Sequence, residues 1–300
     1  MNDLKIATPS KTREIIREYN IRLNKRLGQN FLVDPEVARR ISLAACEEGD
    51  EIIEIGPGIG SLTEQLLSRV RRVVAVEIDS RLIEVLKEIF KGCGSLTVIE
   101  GNVLHQDLDT LHEKYTGKSL ENSRYNVVGN LPYYITTPIL FHLFESTEYM
   151  DSATLMMQKE VGDRITASHG SKEYGSLTIA CQYYSQPEII TRVSRRNFYP
   201  QPEVESMVLK FNIRKKPPVD GDKSMLFSVV RAAFNQRRKT ILNALNNYFT
   251  DITKNELALI LGEAGIDTSC RGEDLSLEEF AAVSNLIYEG KGAHGDSMKS

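Results

Sequence analysis

The chain has little of what marks a secreted, membrane-spanning or metal-holding protein. Its four cysteines, Cys46, Cys93, Cys181 and Cys270, stand far apart with no CxxC pair and no histidine at ligand spacing. That pattern argues against a disulfide framework or a metal centre and for reduced thiols. No run of 18 apolar residues occurs, and residues 1–20 are charged and lack an apolar signal region, so neither membrane insertion nor export is expected and the chain reads as cytoplasmic. No GKS or GKT follows a glycine-rich loop, which excludes a P-loop. No internal repeat is evident, and 300 residues with 41% hydrophobic content suffice for one main domain and a smaller one.

Positive charge is also short overall, at a net −4, which taken alone disfavours a nucleic-acid partner. Its distribution reverses that inference. Residues 11–40 hold eight Lys/Arg against four Asp/Glu, and residues 192–239 hold twelve against four. A chain polarised in this way can present a basic face to phosphates.

Apolar, β-branched runs alternate with helical stretches through about residue 160. Strands are expected at 52–55, 73–76, 96–99, 126–129 and 153–157, which predicts βα units and a parallel sheet. Two later strands, 188–193 and 207–211, are expected as an antiparallel edge. A charged, two-proline linker at 216–222 separates the domain over 1–215, whose first 32 residues form a cofactor- and RNA-facing segment, from helical patterns over 223–290. Residues 291–300 are small and polar, and are expected to form a frayed tail.

Two strand ends carry chemistry. The first reads Glu54-Ile55-Gly56-Pro57-Gly58-Ile59-Gly60, with Ser61 as a candidate helix cap and Glu64 three residues on. Its GxGxG spacing departs from the GxGxxG of pyrophosphate-binding loops, and acidic Glu54 suits a cationic, phosphate-free ligand such as S-adenosylmethionine. Glu77, at the end of the next strand, is placed to accept ribose hydroxyls, and the Asn102 amide to address an adenine edge. About 70 residues after the glycine loop comes Asn130-Leu131-Pro132-Tyr133. The exocyclic amine of adenine is a poor nucleophile because its lone pair is delocalised into the ring. Two acceptors aimed at its N–H bonds, the Asn130 side-chain oxygen and the Leu131 carbonyl, would draw it towards tetrahedral geometry. Pro132 biases Leu131 to an extended conformation, and Tyr133 offers a stacking face for a flipped base. The two loops together point to methyl transfer onto an adenine amine.

With these residues in view, the chain resembles the small-subunit (16S) ribosomal RNA adenine dimethyltransferases. The resemblance spans Lys25-Arg26-Leu27-Gly28-Gln29-Asn30-Phe31-Leu32, the GPGIG loop, Glu77-Ile78-Asp79, Asn130-Leu131-Pro132-Tyr133-Tyr134, Gln158-Lys159-Glu160-Val161, Asn197-Phe198-Tyr199-Pro200-Gln201-Pro202 and Phe234-Asn235-Gln236-Arg237-Arg238-Lys239-Thr240. It implies an α/β, Rossmann-like class I methyltransferase sheet with helices on both faces and a small all-helical C-terminal domain. The cofactor would be S-adenosylmethionine, with no metal. The reaction would be N6,N6-dimethylation of two adjacent adenosines in the 3′-terminal hairpin of 16S rRNA, performed by a monomer on an immature small subunit.

By the same resemblance Asn30 and Leu32 close over the cofactor, Gly56, Gly58 and Glu77 hold it, Asn130 is the catalytic acceptor, and Tyr133 and Phe198 sandwich the target base. Lys25, Arg26, Arg231, Arg237, Arg238 and Lys239 are the expected RNA contacts. The chain has Asn102 where the family usually has Asp. Two alternatives remain open at this point: a 23S rRNA adenine methyltransferase conferring macrolide resistance, and a noncatalytic ribosome assembly factor. A DNA or protein substrate is a more distant third.

Overall fold

In the computed structural model, residues 5–23 and 28–296 are described. They divide into two compact units, Met1–Gly162 with Gln186–Ile213, and Asp163–Ser185 with Arg214–Ser300. The expected boundary near residue 215 therefore misses a segment. Residues 163–185, read from sequence as part of the sheet domain, belong with the C-terminal helices.

The first unit is built on β2 (Glu51–Ile55), β3 (Arg72–Glu77), β4 (Leu96–Glu100), β5 (Tyr125–Asn130) and β6 (Met150–Gln158). They pair in parallel in the order β4-β3-β2-β5-β6. Next to β6 comes β9 (Ser206–Ile213), antiparallel to it, and then β7 (Ser185–Val193). Each predicted strand is found, extended by up to three residues at an end. Ile53, Val74 and Val127 are essentially unexposed, as expected for strands covered on both faces, and each such side chain contributes roughly 1.5–3 kcal/mol over an exposed one. The chain leaves β2 for β3 on one side and returns as β5 on the other, so a topological switch point lies between β2 and β5. Ligands of open α/β sheets bind at the carboxyl ends of strands at such points.

β5 approaches β2 closely enough to require glycine at its end. A Cβ on Gly129 would lie 2.8 Å from the Ile55 carbonyl oxygen, so any larger residue would wedge the two strand ends apart. A second, two-strand sheet pairs β1 (Phe31–Leu32) with β8 (Phe198–Tyr199) in antiparallel register. Before it lies α1 (Pro9–Glu18), capped by Thr8, and after β1 comes α2 (Pro35–Ala45), capped by Asp34 through the backbone N–H groups of Glu36 and Val37.

The glycine loop leads into α3 (Thr63–Leu67), and here the expected cap fails. Leu62 holds the N-cap position with no side-chain bond. Glu64 instead accepts from the backbone N–H groups of Lys5 and Ile6, at 2.8 Å each, tying the start of the described chain to this turn. α4 (Ser80–Ile89) is capped by Asp79 and packs its Leu82, Ile83, Val85 and Leu86 inward. α5 (Leu108–Thr116) is capped by Asp107 and α6 (Thr136–Ser146) follows β5.

The second unit holds α8 (Ser176–Tyr184), α9 (Lys223–Asn235), α10 (Ile241–Tyr248), α11 (Lys254–Glu263) and α12 (Leu277–Asp296), while α7 (Lys159–Ile165) spans the boundary. One core joins Tyr174, Ile179 and Tyr183 to Leu226, Val230, Leu245, Leu261 and Phe280. The predicted tail is corrected in part, because α12 continues to Asp296. No helix among the described residues is long and apolar enough to cross a membrane.

Candidate active site

A cleft opens at the carboxyl ends of β2, β3, β4 and β5, with about 1090 Å³ of space including its solvent-open mouth. Its walls include Asn30, Leu32, Gly56, Gly58, Glu77, Asn102, Asn130, Leu131, Pro132 and Tyr133. Residues from four strand ends and the 28–32 segment are thus brought together, as the sequence predicts.

The glycine loop presses against β1. Gly58 has φ +62°, and a Cβ there would lie 3.2 Å from the Phe31 ring, so the left-handed turn and the close ring both favour glycine. Its N–H donates to Glu77 Oε2 at 3.1 Å, while Glu77 Oε1 accepts from the N–H groups of Ile78 and Asp79 at 2.9 Å each. Glu77 is only 6% exposed. Burial pushes its carboxyl up from the usual range, and these three backbone donors pull the other way. Asp79 is held low by the Arg81 guanidinium beside it.

Glu54 lies deeper, buried on the cleft floor, with its Oε2 accepting from the Thr63 hydroxyl at 2.7 Å. Desolvation pushes it to about 8, against the Thr63 bond and with help from the charge of Glu77. Burial thus favours its protonated form, in place of the charge that its sequence position suggests for a cationic ligand. Beside it Ser61, the expected helix cap, is a buried hydroxyl facing the cleft with no partner among the described residues. A buried polar atom without a partner is costly, and a ligand with polar atoms in this cleft would satisfy it.

Asn102 both lines the cleft and starts a 3-10 turn, its Oδ1 accepting from the Leu104 N–H at 3.1 Å. The amide therefore turns its Nδ2 end away from that bond. On the opposite wall Asn130 Nδ2 donates to the Asn30 carbonyl at 3.1 Å, and among the described residues no donor reaches its Oδ1. Leu131 is buried, and its N–H donates to the Met156 carbonyl. Among the described residues no donor reaches the Leu131 carbonyl, whereas that of Pro132 accepts from Ile135 and Thr136. Tyr133 is half-buried, its hydroxyl paired with Ser206 at 2.9 Å.

Two expectations meet a different arrangement. The resemblance implies a Phe198 ring open to the target base. Phe198 is 4% exposed, sits opposite Leu32 in the β1–β8 pair, and packs with Ile41, Val128 and Met156 in the core, outside the cleft wall. Pairing with β1 turns the ring inward. The open aromatic face belongs instead to Tyr134, which lines the cleft at 56% exposure and which sequence reasoning did not assign. Arg237 was expected to contact RNA. Its Nη2 donates to the carbonyls of Lys172 and Tyr174 and pairs with Glu273 at 3.0 Å, so it fastens a loop of its own unit. Arg231, Arg238 and Lys239 are exposed there. Lys25 and Arg26 lie outside the described residues.

Comparison with known proteins gives the chain's family and fold relatives. Residues 20–289 match the family model described as ribosomal RNA adenine dimethylase. A protein of Bacillus cereus (strain AH187) named ribosomal RNA small subunit methyltransferase A is 49% identical over 287 residues, covering 94% of this chain and 97% of that one. A Bacillus anthracis (strain CDC 684 / NRRL 3495) protein of the same name matches equally. Among solved structures, a dimethyladenosine transferase from Plasmodium falciparum superposes with a TM-score of 0.70 at 24% identity, covering 87% of this chain and 98% of that one. The 23S rRNA methyltransferase ErmE does so with a TM-score of 0.66 at 25% identity, covering 86% of this chain and all of that one.

Proposed function

The chain belongs to the ribosomal RNA adenine dimethylase family, and on that premise we propose how its cleft performs the reaction. It is an rRNA adenine dimethyltransferase with a Rossmann-like α/β fold. The substrate in this reading is 16S rRNA in an immature small subunit in the cytoplasm, where two adjacent adenosines of the 3′-terminal hairpin are each dimethylated by a monomer. The names of the half-identical relatives favour this over the large-subunit reaction.

The donor set fits S-adenosylmethionine. Glu77 is a buried carboxylate at a strand end, suited to a ribose diol. The glycine loop and the Ser61 hydroxyl suit the polar amino-acid end, and Asn102 the base. When bound, this cofactor supplies an electrophilic methyl on a sulfonium. The chain supplies position and polarity. Asn130 Oδ1 and the Leu131 carbonyl accept the two N–H bonds of the target amine, and as charge develops on nitrogen these fixed dipoles favour it. Alignment of amine and methyl group lowers the barrier further by removing the entropy of encounter. Tyr133 and the more exposed Tyr134 both line the cleft and offer faces on which a flipped base stacks, a contact worth about 1–3 kcal/mol. Arg231, Arg238 and Lys239 hold RNA phosphates.

The observation carrying this reading is that two consecutive residues of the cleft wall, Asn130 and Leu131, each keep an acceptor, Asn130 Oδ1 and the Leu131 carbonyl, that no donor reaches among the described residues. Replacing Asn130 with Ala tests it. Single-turnover methylation of small subunits should fall about 1,000-fold, as on losing a principal transition-state contact. Subunit binding, measured by filtration, should be retained; parallel loss of both would remove Asn130 from the chemistry.

A further inference from the structure

Residues 28–30 touch both halves of the cleft through hydrogen bonds, one of which, to Asn130, leaves free the oxygen on which the proposed reaction depends. On one side the Gln29 Nε2 donates to Asp79 Oδ2 at 2.9 Å. Asp79 belongs to the same turn as Glu77, whose Oε1 accepts the Asp79 N–H. On the other side the Asn30 carbonyl accepts from Asn130 Nδ2 at 3.1 Å. Between them Asn30 folds its own side chain back, Nδ2 to the Gly28 carbonyl at 3.0 Å, across a glycine with φ +61°. The turn is thereby closed on itself, with the Asn30 carbonyl directed at Asn130.

We propose that residues 28–30 are a strap that sets the polarity of the Asn130 amide, with Gln29 and Asn30 as positioning residues for methyl transfer. The inference rests on the assignment of Asn130 as acceptor. An amide side chain has an acceptor at one end and donors at the other, and rotation by half a turn exchanges them. Pinned by its nitrogen to a carbonyl, Asn130 presents oxygen to the cleft, which an amine N–H can use. In the reversed orientation its oxygen faces the Asn30 oxygen and its own N–H groups face those of the substrate, so both contacts are lost.

The strap also explains why the pin is anchored so far from the amide. Tying it to the Glu77–Asp79 turn makes the acceptor depend on the wall where the ribose carboxylate stands. A cleft whose cofactor wall is displaced then presents a disordered acceptor.

The test uses the full-length, 15N-labelled chain. The side-chain NH2 signal of Asn130 is identified by its disappearance in Asn130→Asp and then followed in Gln29→Ala, Asn30→Ala and Gln29→Glu, the last setting a carboxylate against Asp79. The strap predicts that the signal shifts and loses exchange protection in all three. It also predicts that single-turnover methylation slows about ten-fold or more, as expected for one misdirected transition-state hydrogen bond. In the two Gln29 variants the Kd for S-adenosylhomocysteine, by calorimetry, should move by less than about three-fold, which a general disturbance of the wall would exceed; Asn30→Ala, whose residue also lines the cofactor cleft, is judged by the amide signal alone. An Asn130 signal unchanged in the Gln29 and Asn30 variants overturns the proposal, as does a rate loss in the Gln29 variants accounted for by weaker cofactor binding. The amide signal needs no RNA, so a wild-type chain that fails to methylate would count against the proposed function while the strap was still judged.

Discussion

The two ends of the parallel sheet both bury polar side chains, and only one of them makes a site. At the amino ends, His112 of α5 is fully buried against Glu51 of β2, at 3.5 Å, and stacks on the Tyr125 ring of β5. The Tyr125 hydroxyl in turn donates to Asp109 at 2.7 Å, and Lys118 lies 3.3 Å from Glu51. Burial lowers the pKa of His112 and so disfavours its charged form, with Glu51 acting the other way. At the carboxyl ends, Glu54, Ser61, Glu77 and Asn130 are equally withdrawn or constrained, but they border open space. At the amino end neither His112 nitrogen nor Glu51 Oε2 has a hydrogen-bond partner among the described residues; ring stacking on Tyr125 and the close approach to Glu51 hold α5 on the sheet, with no open space beside them for a ligand to fill in the cleft's manner. The carboxyl end leaves acceptors and a hydroxyl waiting for a ligand. Buried polarity alone does not mark a site; it does so when the atoms face room that a ligand can fill.

The comparison can be broken at either end. On cofactor binding the largest effect is expected from Glu77→Ala, which removes the buried carboxylate from the cleft. The Kd for S-adenosylmethionine should rise about 30-fold or more by calorimetry, since hydrogen bonds to a charged partner contribute about 1.5–3 kcal/mol. Tyr134→Leu should raise the KM for small subunits about ten-fold and leave the cofactor Kd alone, in keeping with the loss of one base-stacking face. The same change at Phe198 should lower stability, because that ring is core.

Glu54 sharpens the contrast through pH. Its folded pKa, about 8, lies above the ordinary carboxylate value of 4.5, so between those limits the native state binds a proton that the unfolded chain does not. Its contribution to stability is therefore fully present below pH 4.5 and declines as pH rises towards 8. Urea unfolding of the ligand-free chain at pH 6 and pH 8.5 should show this fall, and Glu54→Gln should flatten it. The smallest effect belongs to the amino end. Tyr125→Phe should cost about 1 kcal/mol, the worth of one hydrogen bond, with methylation unchanged. A loss of activity there would mean that the two ends are not independent.

Much of the carboxyl end was legible in the chain because its signals are local. β-Branched runs bounded by glycine, proline or asparagine gave the strands, and strand ends are where α/β ligands bind. What failed depends on distant partners. Phe198 reads as a ring on a stiff loop until a two-residue strand, too short for any periodicity, pairs it with Leu32. Ser61 and Glu64 have the spacing of a capping box, yet Glu64 is taken by the N–H groups of Lys5 and Ile6, almost 60 residues away. Arg237 looks like its neighbour Arg238, but Glu273 and two carbonyls near residue 173 claim it. The apolar residues of α8 announce burial without naming a partner, so their place in the second unit could not be read. Tyr134 directly follows Asn130-Leu131-Pro132-Tyr133. Its neighbourhood was the available signal, and only its exposure distinguishes it from Tyr133.

The most direct test of the account is to map the product. Small subunits lacking the modification are incubated with the chain and methyl-labelled S-adenosylmethionine, and the RNA is read by primer extension. The account predicts label as dimethyladenosine at two adjacent adenines of the 3′-terminal hairpin of 16S rRNA. Label confined to 23S rRNA, or none while the cofactor is bound, would contradict it.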